Sequence, residues 1–149
     1  MTQTYWDTSA LLKIYVPEPD SAFFLDLVAE SNQPVSTSVI TTIEIRRALN
    51  RKEHAGDIRH VDAAKAMKRF CADCDEGRIT RLPCNDETAS LAQDLVDLAN
   101  AGRKPIMIRS LDAIHLASAQ ATGATVVVTT DLRMRDLAAM LRLKLVPPK

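Results

Sequence analysis

Residues Thr125-Val-Val-Val-Thr129 form an unbroken run of β-branched residues with no polar alternation. Branching at Cβ favours extended backbone. A strand without a polar face must be covered on both sides, which is the condition of a strand inside a parallel sheet flanked by helices. Parallel neighbours cannot be joined by a hairpin, so the remainder of the chain has to supply crossover connections, usually helical.

The periodicity supplies them. Thr4 to Trp6 reads as a strand and Ser9 to about Tyr15 as a short helix that Pro17 ends. A helix after Asp20 carries Phe23, Phe24, Leu27 and Val28 on one face and stops at Asn32 and Pro34, before a short strand around Val35 to Thr37. Ser38 to Lys52 follows as a helix with Val39, Ile43 and Leu49 as its apolar positions and Arg46, Arg47 and Arg51 opposite. A helix over Ile58 to Asp75 leads through Gly77 to a strand over Arg78 to Leu82, and Asn85, with Thr88 three residues on, caps a helix that runs to Asn100. The last third reads as a helix from Ser110 to Gln120, the valine strand, a helix from Leu132 to Leu141 and a strand over Lys144 to Val146. Such alternation specifies an α/β fold with a mainly parallel sheet.

Glycines and prolines fall between these segments and no repeat or long linker interrupts them, so residues 1–149 are expected to form one domain. Nineteen basic and nineteen acidic residues cancel, so binding to a nucleic acid has to come from local basic patches rather than from overall charge. The apolar runs are too short to span a bilayer and the N-terminus lacks a signal-peptide pattern, which makes the cytoplasm the expected location, with no membrane partner. Cys71, Cys74 and Cys84 are an odd set and argue against a disulfide framework. Cys71-Ala-Asp-Cys74 has the spacing of a metal knuckle, but a closed zinc site needs four ligands and no second pair follows; these cysteines read as small buried apolar residues near a helix end. His54 and His60 sit in a charged stretch and are expected to face solvent.

The acidic residues carry the chemistry. Asp7 and Asp131 each end a strand and begin a helix, and each suits a helix N-cap. That position is also the carboxyl edge of the sheet, where open α/β folds bind ligands. Asp112 lies two residues after the expected cap Ser110, so its helix N-terminus belongs at the same edge. Glu44 stands between Ile43 and Ile45, where a carboxylate has to be paired, bound to a cation, or turned out toward Arg47 or Lys52. Carboxylates gathered at one edge repel each other, so that one member is protonated or the cluster captures a hard cation; oxygen-only donors favour Mg²⁺ or Mn²⁺. Ions of that kind activate water for displacement at phosphorus.

Asp7-Thr-Ser-Ala-Leu-Leu-Lys, Thr42-Ile-Glu44-Ile-Arg-Arg-Ala-Leu, Arg109-Ser-Leu-Asp112-Ala-Ile-His-Leu-Ala-Ser-Ala and Val128-Thr-Thr-Asp131-Leu resemble the four acidic motifs of the PIN-domain nucleases. Their order and spacing are most similar to the small VapC-type toxins of toxin–antitoxin pairs. The resemblance implies a three-layer α/β/α sandwich, Mg²⁺- or Mn²⁺-dependent endoribonuclease activity, a homodimer, and a cognate antitoxin whose tail fills the active-site groove. It places Asp7, Glu44, Asp112 and Asp131 at the catalytic metal site, with Ser9 supporting the first aspartate and Thr129 or Thr130 the polar residue beside the fourth. Arg46, Arg47, Arg51 and Arg109, joined by Lys13, are expected to form a phosphate-binding rim for RNA. His115, one turn after Asp112, is expected either to support the site or to be a hydrogen-bonded core residue. The charged segment Arg51 to Gly77 is where substrate or partner specificity is expected.

Two other classes compete. A haloacid-dehalogenase-like phosphatase also begins with Asp after its first strand, but needs a second Asp where this chain has Ser9. A PIN-like fold that only binds, without catalysis, would share every motif but leave RNA intact.

Overall fold

The computed structural model describes residues 3–148. Five strands, β1 (Thr4–Trp6), β2 (Val35–Ser38), β3 (Ile79–Leu82), β4 (Val126–Val128) and β5 (Lys144–Val146), form one sheet in the order β3-β2-β1-β4-β5, and every pairing is parallel. Seven helices occupy the connections among the described residues: α1 (Thr8–Tyr15), α2 (Ser21–Glu30), α3 (Ile40–His54), α4 (His60–Asp75), α5 (Asp86–Asn100), α6 (Ser110–Ala121) and α7 (Leu132–Met140).

The central strands divide their side chains between two cores. Trp6 and Val128 point to the face covered by Leu11 and Tyr15 of α1, Phe24 of α2, Ile45 and Leu49 of α3 and Phe70 of α4. Tyr5 and Val127 point to the other face, against Leu95 of α5, Leu116 of α6 and Leu137 of α7. The valine strand is thus buried on both sides. Each of Val126, Val127 and Val128 is buried, which stabilises the fold by about 1.5 kcal/mol or more per side chain. The architecture is the three-layer α/β/α sandwich with a parallel sheet. No helix among the described residues is long and apolar enough to cross a membrane.

Local signals set most boundaries. Asn85 Oδ1 accepts the Thr88 backbone N–H at 3.0 Å, so the expected cap of α5 is present. The observed α1 includes Thr8, and β2 extends to Ser38, each within a residue of expectation. Helix α6 begins at Ser110 as expected, but its N-cap is Arg109 rather than Ser110, and the Asp112 carboxylate accepts the Arg109 backbone N–H at 3.1 Å.

Two expectations about faces are corrected. Val39 and Ile43 are exposed, and the buried face of α3 is Thr41, Ile45 and Leu49. The reversal has a polar cause. Thr41 is tolerated inside because its hydroxyl pairs with Thr37 at 2.7 Å and accepts from Thr8 at 3.2 Å, which leaves Ile43 to turn outward. On α4 the inward positions are Ala63, Ala66, Met67 and Phe70, so Cys71 is exposed rather than buried, while Cys74 packs partly against the core. All three cysteines are free, and His54 and His60 are exposed.

An ion-pair network ties the turn after α1 to the end of α3. Lys13 Nζ reaches Glu18 Oε2 at 2.6 Å and Asp20 Oδ1 at 2.8 Å, and Lys52 Nζ reaches Glu18 Oε1 at 3.0 Å. The Lys13 hydrogen bond holds the Glu18 carboxyl below its usual range, with burial opposing and Lys52 adding to the effect. A carboxyl whose folded value lies below its unfolded one contributes stability above the unfolded value and loses it as pH falls through the folded value. Glu18→Gln is therefore expected to lose about 1 kcal/mol at pH 7. Urea denaturation should show that gap narrowing as pH falls below the usual carboxyl range and the wild-type carboxyl takes up its proton. A gap that keeps its size in acid would contradict the assignment.

Candidate active site

The strand order identifies the ligand edge. From β1 the chain winds outward through β2 to β3, then returns to β4 beside β1 and continues to β5. The winding direction reverses between β1 and β4, and open α/β sheets bind ligands at the carboxyl ends of strands at such a reversal. Trp6 is in register with Val128, so Asp7 and Thr129 leave the sheet side by side.

Asp7 is buried at this point, 3% exposed. Its Oδ1 accepts the Ala10 backbone N–H at 3.1 Å, making Asp7 the α1 N-cap, and also accepts from Ser9 Oγ at 2.8 Å. Thr129 Oγ1 donates to Asp7 Oδ2 at 2.9 Å. Ser9 and Thr129 also brace the neighbouring loop, because the Thr130 N–H donates to Ser9 Oγ and the Asp131 N–H to Thr129 Oγ1. Asp131 Oδ1 caps α7 through the Met134 N–H at 3.0 Å. The capping and ligand-edge readings of Asp7 and Asp131 are both present in one arrangement.

Asp112 is buried at the first turn of α6. Glu44 reaches inward from α3, not to Arg47 or Lys52, but to His115 Nε2 at 2.5 Å and Thr8 Oγ1 at 2.8 Å. His115 is itself buried, and its Nδ1 lies 2.7 Å from the Tyr5 hydroxyl. Thr8 and Tyr5 were not singled out by sequence; Thr8 lay inside the first acidic motif, whereas nothing local marks Tyr5.

A groove of about 390 Å³ opens over these groups, lined by Asp7, Ser9, Glu44, Asp112, His115, Thr130 and Asp131. Arg47 and Arg51 of α3 and the apolar Ile43 and Leu111 form its walls. Arg46 is exposed but does not line the groove, and Lys13 lines it with its ammonium committed to Glu18 and Asp20. Those two basic residues therefore differ from the expected rim, since one lies outside the groove lining and the other is neutralised by neighbours. A larger cavity, about 500 Å³, lies between α2 and the sheet, but no Asp, Glu, His or Cys lines it.

The electrostatics separate two of the acids. Burial pushes the Asp7 carboxyl up, against the lowering influence of His115, Ser9, Ala10 and Thr129. Burial also acts to raise Glu44, but its His115 and Thr8 hydrogen bonds outweigh it and the net shift is downward. A buried carboxylate that is costly to ionise is what a nearby cation relieves. The donor set, carboxylates alone, suits a hard divalent ion. As the side chains lie, no three His, Cys, Asp or Glu groups among the described residues stand close enough to hold one. Glu44 is turned toward His115, and the Arg109 guanidinium lies between Asp112 and Asp131.

Comparison with known proteins agrees with this geometry. The family model of the PIN domain matches residues 4–140. Ribonuclease VapC46 of Mycobacterium tuberculosis is 33% identical, with 99% of each chain covered. Among solved structures, VapC20 of Mycobacterium tuberculosis, described as a sarcin-ricin loop cleaving toxin, is similar with a TM-score of 0.70 and 17% identity, covering 93% of this chain and 95% of that one. VapBC2 of Rickettsia felis, solved bound to a promoter DNA fragment, matches with a TM-score of 0.65 and 15% identity over 96% and 97% of the two chains. The parallel sheet with its acidic reversal point and the full-length likeness to a VapC ribonuclease lead to one conclusion: this chain belongs to the PIN-domain family, among its VapC-type ribonucleases.

Proposed function

We propose that the chain is the toxin of a toxin–antitoxin pair, an endoribonuclease that hydrolyses RNA phosphodiester bonds with Mg²⁺ or Mn²⁺. The observation that carries this reading is the convergence of Asp7, Glu44, Asp112 and Asp131 on one groove at the β1/β4 reversal. Asp7 and Asp112 would hold the ion, with Glu44 and Asp131 contributing directly or through water. A bound ion of this kind lowers the pKa of water and stabilises charge developing on the phosphoryl oxygens. Ser9 and Thr129 fix the Asp7 carboxylate in orientation through their short hydrogen bonds, and Thr130 joins them through its backbone. Arg47 and Arg51 lie one helical turn apart on the groove wall, where their guanidinium forks suit successive phosphates.

The antitoxin reading is supported by similarity to a solved toxin–antitoxin complex from Klebsiella pneumoniae, and the homodimer is proposed from the family resemblance alone. The phosphatase alternative is set aside by the family, and Ser9, standing where it needs an acid, donates to Asp7 instead. The test is direct. Purified, antitoxin-free protein incubated with tRNA, rRNA and mRNA should give discrete fragments with Mg²⁺ or Mn²⁺ and none with EDTA. Intact RNA in every folded, metal-loaded sample would favour the inert binding module.

A further inference from the structure

Asp112 and Asp131 already share a cation. Arg109 Nε lies 3.2 Å from Asp112 Oδ2, and Nη2 lies 3.4 Å from Asp112 Oδ1 and 3.1 Å from Asp131 Oδ2. One guanidinium therefore bridges two carboxylates that flank the expected ion position. The burial of the partners is unequal: the Asp112 side chain is 5% exposed and that of Asp131 20%, whereas Arg109 is 64% exposed. Its side chain thus reaches in from the rim with most of its surface in water, and withdrawing it desolvates nothing.

The backbone makes that withdrawal possible without disordering the acids. Asp112 Oδ2 also accepts the Arg109 main-chain N–H at 3.1 Å, and Asp131 Oδ1 accepts the Met134 N–H at 3.0 Å. Neither contact involves the guanidinium. A divalent ion and the guanidinium compete for the same oxygens, because two cations within a few ångströms repel strongly in a partly buried groove. Arg is well suited to the exchange, since its fork pairs with carboxylate or phosphate.

We propose that Arg109 is the built-in counter-ion of the acidic groove and sets its metal affinity: the side chain bridges Asp112 and Asp131 until a divalent ion displaces it to the rim, where it meets RNA phosphate. This rests on the reading of the groove as a metal-dependent nuclease site. It assigns Arg109 to positioning the acids and gating the ion rather than to the fixed phosphate rim.

Mn²⁺ binding measured by calorimetry tests it. Arg109→Gln is expected to bind Mn²⁺ about tenfold more tightly than wild type, and Arg109→Lys, which keeps charge but not the fork, to fall between them. Arg46→Gln removes the same charge from outside the groove and should change affinity by less than about twofold. Cleavage rates should cross: at Mn²⁺ too low to saturate wild type, Arg109→Gln is faster, and at saturation wild type is at least as fast. Equal or weaker Mn²⁺ binding by Arg109→Gln, or the same shift from Arg46→Gln, would overturn the proposal while leaving a metal-binding, RNA-cleaving wild type intact. Absence of Mn²⁺ binding in wild type and variants alike would overturn the metal-site reading itself, and this proposal with it.

Discussion

Replacing Asp112 by Asn is expected to reduce metal-dependent RNA cleavage on the order of 10³-fold or more, while the fold persists. The two halves of this expectation come from different atoms of one side chain. Toward the groove, Asp112 supplies negative charge for a hard cation, and an amide supplies a neutral carbonyl oxygen in its place, a much weaker ligand for a divalent ion. Toward its own helix, Asp112 accepts the Arg109 backbone N–H, and the Asn carbonyl can accept the same bond. The ion pair with Arg109 is lost, but the guanidinium is largely exposed, so that loss contributes less than about 1 kcal/mol. Thermal melting of the metal-free protein should therefore change by only a few degrees. RNA cleavage within tenfold of wild type by a well-folded Asp112→Asn protein would remove Asp112 from the site.

Much of this arrangement was legible in the sequence because its signals are local. The Val126–Val128 run announced a strand covered on both faces, the Asn85 cap fixed the start of α5, and the prolines and glycines separated the elements. The position of Asp7 and Asp131 at strand ends was equally local, but their adjacency was not. It depends on β4 returning to the side of β1, and strand order is a property of the packed sheet. Pattern alone sets the phase of α3 wrongly because Thr41 counts as polar, yet it is buried by hydroxyl contacts with Thr37 and Thr8 from other elements. The partners of Lys13 and Arg109 were missed for another reason. Both residues are expected in a phosphate-binding rim, although carboxylates nearby in the chain, Glu18 and Asp20 in one case and Asp112 in the other, reach them first. Glu44 illustrates the remaining limit, for its partner His115 lies 71 residues away and no periodicity joins them.

That pairing makes His115→Ala the second large effect, with an expected loss of about 3 kcal/mol in stability. The Glu44 carboxylate can only accept, so Nε2 donates to it, and in the neutral imidazole Nδ1 accepts from the Tyr5 hydroxyl 2.7 Å away, a phenol that burial keeps protonated by pushing it well above its usual range. Alanine removes a ring buried at 2% exposure, takes away the imidazole 2.7 Å from the Tyr5 hydroxyl and takes one of two hydrogen bonds from Glu44. For a chain of this size the melting temperature should fall by roughly 6–12 °C. Tyr5→Phe removes only the hydroxyl and should lose about 1–2 kcal/mol, by leaving Nδ1 without its donor. The functional consequence is separable, because Glu44 is aimed by Nε2 and not by Nδ1. His115→Gln can place an amide N–H near the Nε2 position, and it is expected to recover cleavage and Mn²⁺ affinity relative to His115→Ala while remaining less stable than wild type. If His115→Ala and His115→Gln were equally impaired in Mn²⁺ binding, the imidazole would act on the groove through packing alone; if neither lost stability, the buried relay from Tyr5 to Glu44 would not hold the two cores in register.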